Sequence, residues 1–469
     1  MILLCLRGIF RHYKYKFTSA MNDFKFSNEN WFRTSVVILT VLLLFVSIWS
    51  FFRTSPGVDY YNYWVGVQAV RAQKGVNFYE KEKSTQVRES CYRNSLEMNT
   101  GPRQKLAAQC WQDYEKKFYN YQSSDDRLHF FISTPFLYTF MSLFVSGDYE
   151  LDISKFYLIQ LACFAFFILI IIHLLKFPFY SILYPAILFS VFYGPFLSDL
   201  RVGNVVLMQL AFIALFLVCV HMIRKKELGY VIGGAVLGLM VLFKPNMIFA
   251  PMMILAGLMV MKQKKEFFLS LAGMVAGTVL GLLSASIFFS TFKSWFWWFE
   301  SARNISNLPY VTVKEGNFAL SRVTGEMCGQ QNLSYVLFII LMAMITGVAF
   351  AVMRKNPSRT AETGSPSMNL LMLSIGCLLY LLCAPLVWIH YYVLAIPAFM
   401  CLARPMPAIP YVQRTVIYSS ALISYCLISF AGRSELTGFP MATSAVLCNA
   451  GAVCLLLCLL WTWYADDCK

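Results

Sequence analysis

The sequence predicts an all-α polytopic membrane protein, and three observations carry that prediction. First, the 469 residues are 58% hydrophobic and 13% charged, about half the charged share of a soluble domain, so a soluble fold of this length would lack a polar skin. Second, runs 35–52, 204–223, 266–289 and 440–464 are nearly free of charge and reach the length of about 18 residues or more that crosses the hydrocarbon core as helix. Third, the ten-residue alternation of an outer-membrane barrel is absent, and helices are the other way to satisfy a backbone in lipid.

In chain order, residues 1–34 are basic and polar, with Arg7, Arg11, Lys14, Lys16, Lys25 and Arg33. No cleavable signal is evident, and 35–52 reads as a retained first span. A long polar insert follows at 53–128. The remaining apolar segments are 129–146, 154–175, 179–197, 204–223, 229–243, 246–261, 266–289, 334–353, 369–384, 388–403, 412–431 and 440–464, with a second insert at 290–333 and a short tail at 465–469. Lys and Arg cluster in the loops 224–227, 262–266, 354–359 and 404–414, which the positive-inside rule makes cytoplasmic together with both termini. The inserts 53–128 and 290–333, and the junctions 198–203, 243–246, 384–390 and 432–439, then lie on the outer side. This scheme requires an even number of crossings between 53–128 and 198–203, where three apolar segments stand. Ser133, Thr134 and Pro135 mark 129–146 as the segment that does not fully cross. About twelve spans with a long first outer loop result.

The net charge of +15 does not indicate a nucleic-acid partner, because the cations sit in short clusters between apolar runs, as cytoplasmic loops of membrane proteins do. Most cysteines lie in apolar runs and serve as small packing residues. Cys91 and Cys110 lie in the polar insert. They are a disulfide pair if that loop meets an oxidising compartment and two free thiols otherwise.

Ionisable groups at membrane depth are costly and mark function. Those that survive concentrate on the outer side: Asp59 after the first span, Asp199, Arg201 and Asn204 at one junction, Lys244 in Phe243-Lys244-Pro245-Asn246, Asn317 and Arg322 in the second insert, and His390 in Trp388-Ile389-His390-Tyr391-Tyr392. Taken singly, each has a plainer reading as an interfacial loop residue, a snorkelling cation or part of an aromatic belt. Together they describe a site at the outer leaflet boundary. Lys244 and Arg201 can hold a phosphate, as a point charge and a planar fork, and Asp59 can take a proton from an attacking hydroxyl. A lipid with a phosphorylated sugar head suits such a site.

The order of these features resembles glycosyltransferase family 87, the polyprenol-phosphate-mannose-dependent mannosyltransferases of the GT-C fold. Asp59-Tyr60-Tyr61-Asn62-Tyr63-Trp64 followed by Gly75-Val76-Asn77-Phe78-Tyr79 is similar to the family's opening pattern. Arg201-Val202-Gly203-Asn204 is similar to its Arg-x-Gly-Gln junction, and Gly233 to Lys244 to its glycine-rich helix ending at a lysine. Gly316-Asn317-Phe318-Ala319-Leu320 is a weak match to Gly-Asn-Gln-Ser, and Cys383 to Tyr391 is similar to Ser-Pro-x-x-Trp-x-His-Tyr. Asn204 departs from the usual glutamine, Phe318-Ala319 from Gln-Ser, and Ile132-Ser133-Thr134-Pro135-Phe136 from Tyr-Pro-Pro, while 81–118 is an insertion.

The resemblance implies a single GT-C-type helical bundle over 35–464 and inverting transfer of a sugar, mannose by family default, from a polyprenyl-phosphate donor. The acceptor is a glycolipid, a glycan or a protein. It implies Asp59 as general base, Arg201, Lys244 and His390 on the donor phosphate, and Tyr63, Asn204, Asn317 and Arg322 about the substrate. No cofactor or metal is expected, Asp199 and Glu300 being the only further acidic candidates. The expected location is the plasma (inner) membrane, multi-pass, with the active site on the extracytoplasmic side. The competing reading is a transporter or flippase of lipid-linked sugars, for which internal repeats and broken helices at the midplane would be the sign.

Overall fold

The computed structural model describes residues 55–97, 100–119, 133–177, 183–306, 312–314, 316–329, 334–354, 366–404, 409–431 and 440–465, with Phe45 and Met406 as single residues. Contacts divide the chain into Met1–Thr54 and Ser55–Lys469. The apolar segment 35–52, apart from Phe45, lies outside the described residues, and the account below concerns the second unit.

The polar insert folds into helices: α1 (Val58–Ala72), α2 (Lys81–Glu97) and α3 (Pro102–Tyr119). A short α4 (Pro135–Met141) follows, and then α5 (Tyr149–Leu174). Thr134 starts α4 by accepting the Leu137 amide on its hydroxyl at 3.1 Å, with Pro135 in the first turn, as helix N-termini favour. Asp148 caps α5 through the Glu150 and Leu151 amides. The start of α5 anchors the insert. Trp64 Nε1 donates to the buried Asp152 at 3.2 Å, the Tyr149 hydroxyl donates to the Pro56 carbonyl at 2.7 Å, and Arg103 pairs with Glu150 at 2.7 Å. Asp152 also accepts from Ser146 and Gly147, so its buried charge is fully engaged.

Next come α6 (Leu183–Ile187), a π-helical turn at Leu188–Phe192, α7 (Gly194–Val202), and α8 (Val206–Met222), which meets α7 at 112°. Then follow α9 (Lys226–Phe243), a 3-10 turn at Pro245–Ile248, α10 (Phe249–Val260) and α11 (Lys264–Phe289). The second insert carries α12 (Lys293–Ser306) and α13 (Leu320–Met327). The chain closes with α14 (Ser334–Arg354), α15 (Pro366–Cys383), a 3-10 turn at Ile389–Ala395, α16 (Ile396–Leu402), α17 (Tyr411–Ala431) and α18 (Met441–Ala465). Among the described residues there is no strand.

Six of these helices, α5, α9, α11, α15, α17 and α18, are long and apolar enough to cross a membrane, and seven spans result if the bent α7–α8 pair is one. The expectation of about twelve spans is therefore not shown among the described residues. The described part of 129–146 holds only the seven-residue α4, about 10 Å long and too short to cross. Segment 179–197 is broken by the π turn, and 246–261 and 388–403 form shorter apolar helices.

The pair α9–α11 sets the frame of the site. A Cβ on Gly234 or Gly238 would overlap the carbonyls of Ser270 or Met274, and one on Gly273 or Gly277 those of Val231 or Ala235. The two backbones touch, as small residues permit in membrane helices, and α9 ends at Phe243, just before Lys244. Met368–Cys383 of α15 is buried throughout, with Gly376 against the Ala250 backbone of α10. α11 turns Val275, Leu280, Leu283 and Ile287 outward, the apolar exterior expected against lipid.

Candidate active site

Asp59 lies in the first turn of α1. The turn before it needs Gly57 at φ +66°, a left-handed conformation that glycine adopts freely. Gly203 ends α7 in the same way at φ +68°. A Cβ on Gly203 would stand 2.9 Å from Tyr60 Cβ and 3.1 Å from Gly57 Cα. Two bare turns, far apart in sequence, thus come into contact and bring Asp59 to Asn204.

Asn204 is the hub. Its Nδ2 donates to Asp59 Oδ2 at 2.5 Å, and its Oδ1 accepts from Lys244 Nζ at 2.6 Å and from the Val205 amide at 2.7 Å. Its own amide donates to the Asp199 carbonyl at 3.1 Å, and its carbonyl accepts from Gln160 Nε2. A carboxylate and an ammonium are joined through one carboxamide. Burial raises the pKa of Asp59, while Asn204 and the Lys244 charge pull it down. Burial lowers that of Lys244 against the opposing effect of Asp59 and Asp199.

Lys244 follows the last residue of α9, and its Nζ lies 4.4 Å from the ring centroid of Tyr391, within cation–π range. The Thr134 hydroxyl donates to the Leu242 carbonyl at 2.6 Å, so the residue that caps α4 also steadies the end of α9. His390 begins the next turn, buried, edge-on to Tyr391 at 4.6 Å, with its Nε2 free of hydrogen bonds among the described residues. Tyr63, one helical turn from Asp59, is buried within electrostatic reach of Asp59, Asp199 and Tyr391.

The other predicted residues take different places. Asn317 uses its carboxamide on backbone: Nδ2 donates to Pro385 O at 3.1 Å, and Oδ1 accepts from the Ala319 and Val387 amides at 3.0 and 3.1 Å. It clamps the second insert onto the turn before His390. Arg322 is buried, and its Nε makes no hydrogen bond among the described residues. Arg201 is exposed on α7, and its charge reaches the Cys110 thiol. Residues two apart on a helix do not share a face, so the buried Asp199 turns Arg201 away from the cluster. Cys91 and Cys110 are separate thiols in this structure. Cys110 lies toward Arg201, while the Cys91 turn of α2 faces the Tyr61 hydroxyl, and burial pushes the Cys91 thiol up to about 11. Among the described residues no three His, Cys, Asp or Glu side chains gather as a metal-holding group.

Sequence reasoning missed three contributors. Asp199 stood out as a polar survivor but received no role beyond a possible metal ligand. Gln160 and Thr134 act through backbone carbonyls of distant segments, which no local pattern signals.

The model of glycosyltransferase family 87 matches residues 131–385, more than half of the chain. Asp199, Arg201, Asn204, Lys244, Asn317 and Arg322 fall within that span, Asp59 and Tyr63 before it, and His390 after it. No curated protein and no solved structure matches the chain.

Proposed function

We propose, since this chain belongs to glycosyltransferase family 87, that it moves a sugar from a polyprenyl-phosphate donor to an acceptor hydroxyl at the outer face of the plasma (inner) membrane, with inversion, within a GT-C-type bundle. Mannose is the donor sugar by family default, and the acceptor is a glycolipid, a glycan or a protein. The observation that supports this reading is the Asp59–Asn204–Lys244 chain, in which a carboxylate and an ammonium stand on either side of one carboxamide.

Asp59 Oδ1 takes the proton of the acceptor hydroxyl, since Oδ2 is held by Asn204. The hydroxyl oxygen forms a bond to the anomeric carbon as the bond from that carbon to the phosphate oxygen breaks on the opposite face. One carboxylate suffices for this single displacement, whereas a retaining double displacement needs a nucleophile as well. The electron pair leaves on the polyprenyl phosphate, where Lys244 and His390 meet the developing charge. Asn204 keeps base and cation in register, and Asn317 holds the turn that presents His390.

The test is transfer of radiolabelled sugar from polyprenyl-phosphate mannose by purified protein, wild type beside Asp59→Asn. Loss of about 10²–10⁴-fold in turnover is expected for removal of a general base, with expression and donor binding retained. Near-normal turnover in Asp59→Asn removes Asp59 from the mechanism. Net movement of intact lipid-linked sugar across vesicles, without transfer, would favour the flippase reading instead.

A further inference from the structure

Asp199 is the buried acid to which the reaction above gives no task. It is fully buried in α7, and neither carboxyl oxygen makes a hydrogen bond among the described residues. The carboxyl lies against the first amides of α8, Val206 and Leu207, and faces Lys244 and Asp59. Its backbone carbonyl accepts from Gly203 at 3.0 Å and Asn204 at 3.1 Å, so it is fixed to the hub residue itself. The start of α8 gives a carboxyl some support there, but that support does not explain why it also faces a second carboxyl and an ammonium.

Lys244 supplies the reason. Around its ammonium stand Asp59 from α1, Asp199 from α7, and His390 and Tyr391 from the 3-10 turn, with Tyr63 of α1 near both carboxyls and Tyr380 of α15 behind Tyr391. Two of these groups are carboxyls. Asp59 loses its charge each time it takes the acceptor proton, and at that moment Asp199 is the carboxyl left to balance the ammonium; burial disfavours the charge on both groups, and each supports the charge of the other.

We propose that Asp199 is a positioning residue whose carboxyl, taking no part in the displacement, keeps Lys244 protonated while Asp59 alternates between charged and neutral forms. The inference rests on the reading of Lys244 as the cation for the leaving phosphate. It accounts for a second carboxyl beside a single base.

The experiment reads the Lys244 amine directly. Purified full-length protein in detergent is labelled with trace acetic anhydride across a pH series, and acetylation of the Lys244 peptide is measured by mass spectrometry against the exposed Lys225. In Asp199→Asn the labelling midpoint moves to lower pH by about one unit, which is about tenfold more labelling at a fixed pH below the midpoint. In Asp199→Glu, which keeps the charge, the midpoint stays near that of wild type. A purely structural role for Asp199 would not move the midpoint, and an unmoved midpoint in Asp199→Asn overturns the proposal. If the Asn variant fails to fold, Asp199→Ser is compared with Asp199→Glu in the same way. Labelling needs no turnover. A wild-type protein that transfers no sugar therefore counts against the proposed function alone, and the midpoint still decides the role of Asp199.

Discussion

Replacing Asn204 by alanine removes the carboxamide that joins Asp59 to Lys244. The bond to Asp59 is charge-assisted, and such bonds are worth about 1.5–3 kcal/mol. At about 1.36 kcal/mol per pKa unit, that is about one to two units. The lower end applies, because Asp59 is not fully buried and water replaces part of the lost bond. The sign follows from the cause. Asn204 holds the Asp59 pKa down against burial, so its loss lets the pKa rise. In the proposed reaction Asp59 must be deprotonated to accept the hydroxyl proton, so activity is expected to fall as pH drops through its pKa. In Asn204→Ala the acid limb of kcat/KM therefore moves to higher pH by about one unit. Asn204→Gln, which carries the carboxamide usual in the family, shifts the limb less. The assay is the pH profile of sugar transfer for the three proteins. A limb that stays in place while kcat/KM falls equally at every pH would refute this reasoning and place Asn204 on the substrate instead.

Three further outcomes are expected. Gly277→Leu forces a side chain onto the Ala235 backbone and separates α9 from α11; overpacking of this kind costs about 1–3 kcal/mol or more, seen as a lowered Tm in detergent, and an unchanged Tm would contradict the backbone contact. Cys91 and Cys110 both alkylate under denaturing conditions without reductant, and protection of both until reduction would restore the disulfide. A cysteine at the exposed Asn94 reacts with an impermeant maleimide added outside intact cells, and labelling only after the membrane is breached would reverse the orientation.

Long helices were legible because a charge-free run bounded by loop residues leaves little alternative in lipid. The run 204–223 is α8 (Val206–Met222), 266–289 lies within α11 (Lys264–Phe289), and 412–431 lies within α17 (Tyr411–Ala431). Composition failed where apolar residues do not form a continuous helix. Segment 129–146 is as apolar as a span, yet Thr134 and Pro135 start a helix that stops at Met141. In 179–197 the π turn at Leu188–Phe192 leaves no mark on hydropathy. At the site, Asp59, Lys244 and His390 stood out because polar residues are scarce in such a chain. What joins them did not. The Asn204–Asp59 bond spans 145 positions, and the opposite fates of Asp199 and Arg201 depend on which face of α7 turns inward, which single residues cannot tell.

The polar groups of the site all stand where helices begin, end or break: Asp59 in the first turn of α1, Asn204 at the elbow between α7 and α8, Lys244 just past α9, and His390 at the opening of a 3-10 turn. The candidate groups thus occupy interruptions, and the exposed faces of the helices between them are left to solvation by lipid. These two sets of positions can drift independently. Val275, Leu280, Leu283 and Ile287 on the exterior of α11 can be exchanged to suit a thicker or thinner bilayer while base, hub and cation stay in register. Adaptation to a new membrane and a change of glycan are, for this architecture, separable tasks.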